Sequence, residues 1–220
     1  MRRALMLIRF LHHFAKVVRD PSKLDDILAF VAGFEEPEFI APMTEHFARS
    51  PRAAIALQSR PRVGLIDLDA LAQLPEGTLG HAFATHMRES GLDPSAIPVL
   101  PANDQVSYTF AHLHEVHDIW HVVTGFGTDT AGELGLQAFN AAQFPTRLGI
   151  ALIAGGLLNA LLFEWEDRQA RMDEISRGWN LGRSTPHLFG VDWARHWAAP
   201  LEALRDRLGV RTSAPDPLFR

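Results

Sequence analysis

The sequence predicts an all-α fold, a single-domain multi-helix bundle over residues 1–220, and three observations carry that expectation. Apolar residues recur at intervals of three and four through most of the chain. Alternating β-branched runs joined by Asn-Gly or Asp-Gly turns are missing. The prolines at 51, 61, 75, 94, 98, 101 and 145 fall between the periodic stretches instead of inside them. A chain of 220 residues buries about 70% of its unfolded surface, enough for one core without a disulfide or a structural metal.

The first element, 2–18, places Leu5, Ile8, Leu11, Ala15 and Val18 on one helical face. Residues 1–19 also hold Arg2, Arg3, Arg9, Lys16 and Arg19 with no acid, which leaves −10 on the rest of a chain whose net charge is −5. This basic amphipathic helix suits an anionic membrane surface, or packs on the core with its basic face in water; both readings stay open. Arg9 breaks the apolar run and no small-residue cleavage site follows, so it is not read as a secretory signal. An acidic body without a basic stripe excludes nucleic acid as a partner.

Further helices are expected at 23–33, 41–49, 67–74, 79–90, 104–124, 130–142, 147–163, 165–181 and 191–208. The proline-rich stretch 91–103 is read as a loop, and 213–220 as a loose tail. Leu148 to Phe163 is the longest apolar run, about 16 residues against the roughly 20 that span a bilayer. It is expected to be a buried core helix, with a lipid-lining helix as the alternative, and Ala151, Ala154, Gly155 and Gly156 would admit a close neighbour. In the last helix Trp193, Trp197, Leu201, Leu204 and Leu208 share a face, with Asp192 as N-cap. That Trp-rich face is read as core, with a homodimer contact as the alternative.

There is no cysteine, so iron–sulfur clusters, thiolate zinc sites and thiol nucleophiles are excluded, and any metal must sit on nitrogen and oxygen. The stretch from His112, HLHEVHDIWHVVTGFGTDTAGELGLQAF, supplies both. At about 100° per residue, His117, Asp118 and His121 project into one sector of a helix, and two imidazoles one turn apart form a metal-binding pair. Aspartate is too short to copy the general-base glutamate of H-E-x-x-H helices, so Asp118 is assigned as a ligand or as a partner to one. Glu133 lies 12 residues past His121, roughly 18 Å along a continuous helix, so the chain must turn for it to join. Gly125 and Gly127 supply the break, and Thr128, Asp129 and Thr130 supply caps for a returning helix. The competing reading of Glu133 is a capping box with Thr130. His112 and His114 are read as surface or groove residues and not as ligands.

The pattern H-D-x-x-H followed after eleven residues by E resembles the metal motif of the ubiquinone-biosynthesis family called coenzyme Q biosynthesis protein four. RPRVGLIDLDALAQLPEGTLGHAFATHM (60–87) is similar to that family's R-P...L-P-x-G-T-x-G segment, and GELGLQAFNAAQFPTRLGIALIAG (132–155), GWNLG (178–182) and PLEALRDRLGV (200–210) fit as well. The family often carries arginines where this chain has His112 and His114, and tyrosine where Phe83 stands. The resemblance implies an all-α fold with a lipid groove, and a divalent metal on His117, Asp118, His121 and Glu133. Zinc is foremost, with iron(II), manganese and magnesium also compatible with such donors. It implies loss of a carboxyl group and gain of a hydroxyl at ring carbon one of a polyprenylated 4-hydroxybenzoate-derived intermediate. Implied partners are a prenylated phenolic lipid, other quinone-biosynthesis proteins and a membrane surface, with peripheral attachment to the cytoplasmic face of a bacterial inner membrane or the matrix face in mitochondria. A non-catalytic isoprenoid-binding scaffold remains the alternative. A metal phosphohydrolase recruiting His46, His81 or His86 is a lesser one.

Overall fold

The computed structural model describes residues 2–94 and 99–212 and is all-helical: among the described residues the sole β feature is an isolated bridge between Thr78 and Pro200. The helices are α1 (Arg2–Arg19), α2 (Leu24–Val31), α3 (Pro37–Ala48), α4 (Pro51–Ser59), α5 (Leu68–Ala72), α6 (Leu79–Glu89), α7 (Gln105–Thr124), α8 (Thr130–Gln143), α9 (Arg147–Leu162), α10 (Arg168–Ser184) and α11 (Leu201–Leu208). The expected tail 213–220 and residues 95–98 of the proline-rich loop lie outside the described residues.

Three expectations are corrected. Helix α4 was missed because Pro51 was read as punctuation; it stands at the first helical position, where its missing N–H costs nothing and its fixed φ suits the helix. The expected 191–208 helix is two pieces, a 3-10 turn at Trp193–His196 and α11, because Pro200 cannot donate to the ladder. Asp192 makes no side-chain cap there and pairs with Arg195 at 2.8 Å. Trp193 is nonetheless core, as expected.

The main core surrounds α7, whose Val116, Ile119, Trp120 and Val123 are fully buried among residues of α3, α6, α8 and the segment 188–193. The Gly77–Leu79 turn is tied to the C-terminal segment by Leu79 N–H to Ala199 (2.9 Å), Gly80 N–H to Trp197 (2.8 Å) and Leu201 N–H to Gly77 (2.8 Å). Phe83 is buried at this junction, its ring 5.3 Å from Trp197.

A second core, of Val17, Phe30 and Phe34 with Phe14 and Leu152, joins α1, α2 and α9. It corrects both apolar-face expectations. Helix α1 packs through Phe14, Val17 and Val18, which leaves Ile8 63% and Leu11 53% exposed on the stripe that the periodicity picked out. Helix α9 is not enclosed: it turns its small residues inward, Gly155 against Phe14 and Gly156 against Leu134, so Ile150, Leu161, Leu162 and Phe163 face outward. Asn159, the polar interruption in that apolar run, donates to Val18 (2.8 Å) and accepts from Arg171 (2.6 Å). Arg171 is itself buried and also donates to Gly156 (2.7 Å) and Asp167 (3.2 Å). One buried polar network thus links α1, α9 and α10 through the terminal nitrogens of Arg171, whose Nε has no partner among the described residues.

Candidate metal centre

The site is built on a helical hairpin. Helix α7 starts in a reciprocal cap, Ser107 N–H to Asp104 Oδ1 (2.8 Å) and Asp104 N–H to Ser107 Oγ (3.0 Å). It ends at Gly125, whose φ of 71° is the left-handed conformation that glycine adopts without penalty. The chain then folds back: the buried Phe126 anchors the turn and Asp129 caps α8 by accepting from Gly132 N–H at 2.7 Å. A Cβ at Gly132 would collide with the backbone of Gly127, so the turn closes this tightly because residue 132 is glycine.

Asp129, not Thr130, is therefore the cap, and Glu133 is freed from the capping-box role. Its carboxylate reaches back to α7, with Oε1 3.2 Å from His121 Nε2 and Oε2 3.7 Å from His117 Nε2. The two imidazole Nε2 atoms stand 3.3 Å apart, and ligand atoms of His117, Asp118 and His121 all lie within 4.8 Å of one another. All four residues expected from the sequence are brought together.

The ring of His121 is fully buried and fixed from two sides. Its Nδ1–H donates to the carbonyl of Phe126 at 3.1 Å, which aims Nε2 at Glu133 and His117. Its face stacks on His86 of α6, centroids 5.7 Å apart and rings inclined by 23°. Burial pulls His121 down, but the hydrogen bond to Glu133, that carboxylate's charge and the Phe126 carbonyl together raise it above the ordinary histidine value. Burial pushes Glu133 up, and the His121 hydrogen bond with the charge of both histidines more than offsets this, so the carboxyl lies below its usual range. Burial holds His117 below its ordinary value despite the pull of Glu133. His121, when protonated, thus donates to Glu133 from the same Nε2 that a metal would use.

The donor set fits a divalent cation: two imidazole nitrogens stand together, the Glu133 carboxylate faces both, Asp118 lies within ligand reach of both, and one imidazole has its far nitrogen already committed to a carbonyl. Beside His121 opens a groove of about 490 Å³, lined by Glu76, His81, His86, His121, Phe126 and Leu201 among others.

The other histidines fall elsewhere. His112 is buried, against expectation, because its Nε2 accepts from Gly190 N–H at 3.2 Å and its ring packs on Tyr108 and Phe189. Burial lowers it to about 4, so it is neutral. His114 lies against Phe110, His46 bonds the Gln143 carbonyl and faces His187, and His81 bonds the Leu74 carbonyl. Of the three that a phosphohydrolase would recruit, His86 alone stands beside the centre. The sequence shows no sign of the Phe126 carbonyl, and it offers His86 only as a recruit of the phosphohydrolase alternative. No spacing marks His86, whereas the Gly-Phe-Gly break marked the turn without revealing which way its carbonyl points.

The family model described as coenzyme Q (ubiquinone) biosynthesis protein Coq4 matches residues 7–214. Among curated proteins, the chain is 29% identical over 174 residues to the mitochondrial ubiquinone biosynthesis protein COQ4 homolog of Rattus norvegicus, covering 76% of this chain and 64% of that one. It is 33% identical over 159 residues to the mitochondrial COQ4 of Eremothecium gossypii, covering 70% and 48%. The chain thus spans less than two thirds of the length of these relatives. Among solved structures, it superposes with a TM-score of 0.80 and 31% identity on a Nostoc punctiforme protein assigned by name to ubiquinone biosynthesis, covering 94% of this chain and 97% of that one.

Proposed function

Since the chain belongs to the coenzyme Q (ubiquinone) biosynthesis protein Coq4 family, we propose that it carries out a metal-dependent step of that synthesis, exchanging a carboxyl for a hydroxyl at ring carbon one of a polyprenylated 4-hydroxybenzoate-derived intermediate. The observation that carries this reading is the convergence of His117, His121 and Glu133, with Asp118 adjoining, on one point of the α7–α8 hairpin. Loss of carbon dioxide with gain of a hydroxyl is a two-electron oxidation; with dioxygen as the proposed oxidant it balances as ring acid, dioxygen and water giving phenol, carbon dioxide and hydrogen peroxide. A divalent metal, zinc foremost, would supply Lewis-acid polarisation of an oxygen-bearing head group, and iron(II) would add redox capacity.

The protein's own residues hold and orient. His117, Asp118, His121 and Glu133 hold the cation, and Phe126 fixes the tautomer of His121 through its carbonyl. The groove beside His121 falls within the roughly 300–1,000 Å³ of small-molecule sites and suits a phenolic ring. The outward apolar face of α9 is the proposed track for the prenyl tail, and the exposed stripe of α1 with Arg9, Lys16 and Arg19 the proposed membrane contact. No described helix is long and apolar enough to cross a membrane. Peripheral attachment through the α1 stripe is proposed, on the cytoplasmic face of a bacterial inner membrane or on the matrix face in mitochondria.

The exposure of Ile150, Leu161, Leu162 and Phe163 favours one second reading, an isoprenoid-binding scaffold for other quinone-biosynthesis proteins without catalysis of its own. The separating experiment is a mass-spectrometric profile of prenylated intermediates in a strain lacking this gene, complemented by native protein or by His121→Ala. Ubiquinone restored by the native form alone, with a ring-carboxylated intermediate accumulating otherwise, supports catalysis. Restoration by both forms makes the metal dispensable and the scaffold reading correct.

A further inference from the structure

We infer that Arg177 is a positioning residue for the metal centre, acting on His121 through Phe126; the inference rests on the metal reading above. The sequence places Arg177 on α10 just before Gly178 and Gly182, the glycines that let this helix press onto α8. A Cβ at Gly178 would collide with the Gly135 carbonyl, and one at Gly182 would meet the Phe139 carbonyl at 2.6 Å. On the same contact, a Cβ at Gly135 would lie 2.6 Å from the Phe126 ring. The three elements therefore meet with backbone nearly touching backbone, and Phe126 is held between them.

Arg177 closes this junction. Its guanidinium carbon lies over the Phe126 ring, 3.7 Å from the centroid. It donates to the carbonyls of Thr124 (3.3 Å) and Gly125 (3.2 Å), the last carbonyls of α7, where a cation also meets the negative end of the helix. Glu174 pins the guanidinium from behind at 2.6 and 2.9 Å. The ring and the two carbonyls that Arg177 grips flank the single carbonyl that receives Nδ1–H of His121. A shift of Phe126 would release that hydrogen bond, and His121 Nε2 would lose its aim at Glu133 and His117. Arg177 has no hydrogen bond to any of the four candidate ligands and meets the groove only from behind its Gly125 and Phe126 wall; its effect reaches the centre through one backbone oxygen.

Arg205 provides the comparison. It donates to the carbonyls of Val122 (2.7 Å) and Val123 (2.9 Å), holding the same end of α7 without touching Phe126. The test measures zinc affinity by competition with a chromophoric chelator, and the visible spectrum of the cobalt(II) form, in native protein, Arg177→Ala, Arg177→Lys, Arg205→Ala and His121→Ala, alongside melting temperature. Arg177→Ala is expected to weaken zinc roughly 10-fold, as loss of partners behind metal ligands does, and to shift the cobalt bands. Arg205→Ala is expected to lower the melting temperature while keeping affinity and spectrum near native. Arg177→Lys keeps the charge but lacks the flat fork, and it should fall between. Native affinity in Arg177→Lys would overturn the proposal where Arg177→Ala does not fold, and equal weakening by Arg177→Ala and Arg205→Ala would overturn it by reducing the effect to general stability. Native protein that binds zinc no better than His121→Ala would instead remove the metal reading itself, and the proposal with it.

Discussion

Gly178 of α10 crosses α8 at Gly135 with no room for a side chain, since a Cβ on residue 178 would overlap the Gly135 carbonyl oxygen. The crossing lies two residues from Glu133 along α8, so the packing of α10, a helix outside the candidate centre, bears on where the Glu133 carboxylate stands. Gly178→Ala must push α10 away from α8 and is expected to cost about 3 kcal/mol of stability. Urea denaturation measures it; a midpoint equal to that of native protein would mean the crossing relaxes freely.

Metal affinity is expected to rise with pH. The folded value of His121 lies above its ordinary 6.5, so below that value the imidazolium donates to Glu133 from the nitrogen that a metal needs. The metal-free pair stabilises the fold above the ordinary 4.5 of Glu133, and this contribution is lost as pH rises through the raised value of His121. Zinc must displace the proton, so binding calorimetry in buffers of different ionisation enthalpy should show proton release at pH values below the raised value of His121. Zinc binding without proton release would contradict the protonated His121–Glu133 pair.

His112 makes the opposite demand. Its folded value is lowered to about 4 by burial, so the unfolded chain binds more protons between pH 6.5 and 4. Stability must therefore fall as pH drops through that window, by about 3 kcal/mol from this residue. His187 and His196 act in the same sense, so the measurement is the difference in slope between native protein and His112→Gln. Identical slopes would show that His112 charges in the fold without penalty.

Asn159→Leu adds apolar surface to an apolar helix and is nonetheless expected to destabilise by about 2 kcal/mol, because Arg171 loses a buried acceptor and the Val18 carbonyl its donor. Thermal melting checks the direction. A stabilised variant would mean that water replaces Asn159 at no cost.

Most of the helices, and the proximity of the four candidate ligands, were legible because period and spacing carry them: His117 and His121 share a helical face wherever the helix lies, and Gly125 with Asp129 announces a turn and a new start. What periodicity cannot show is which of two apolar faces packs. Ile8 and Leu11 form the better stripe on α1, yet Phe14 and Val17 win because α9 offers them Gly155. Proline was misread in both directions, as an end at Pro51 where it starts a helix and as tolerable at Pro200 where it splits one. The orientation of the Phe126 carbonyl and the stack of His86 on His121 depend on tertiary packing, which no local pattern encodes.

The central claim is that His117, Asp118, His121 and Glu133 hold one divalent metal, and zinc titration of purified native protein, His121→Ala and Glu133→Gln, with helix content recorded by circular dichroism, tests it most directly. The account predicts one equivalent bound by the native form, binding abolished in His121→Ala and weakened in Glu133→Gln, and nearly unchanged helix content in all three. Stoichiometric zinc in His121→Ala, bound as tightly as by native protein, would contradict it.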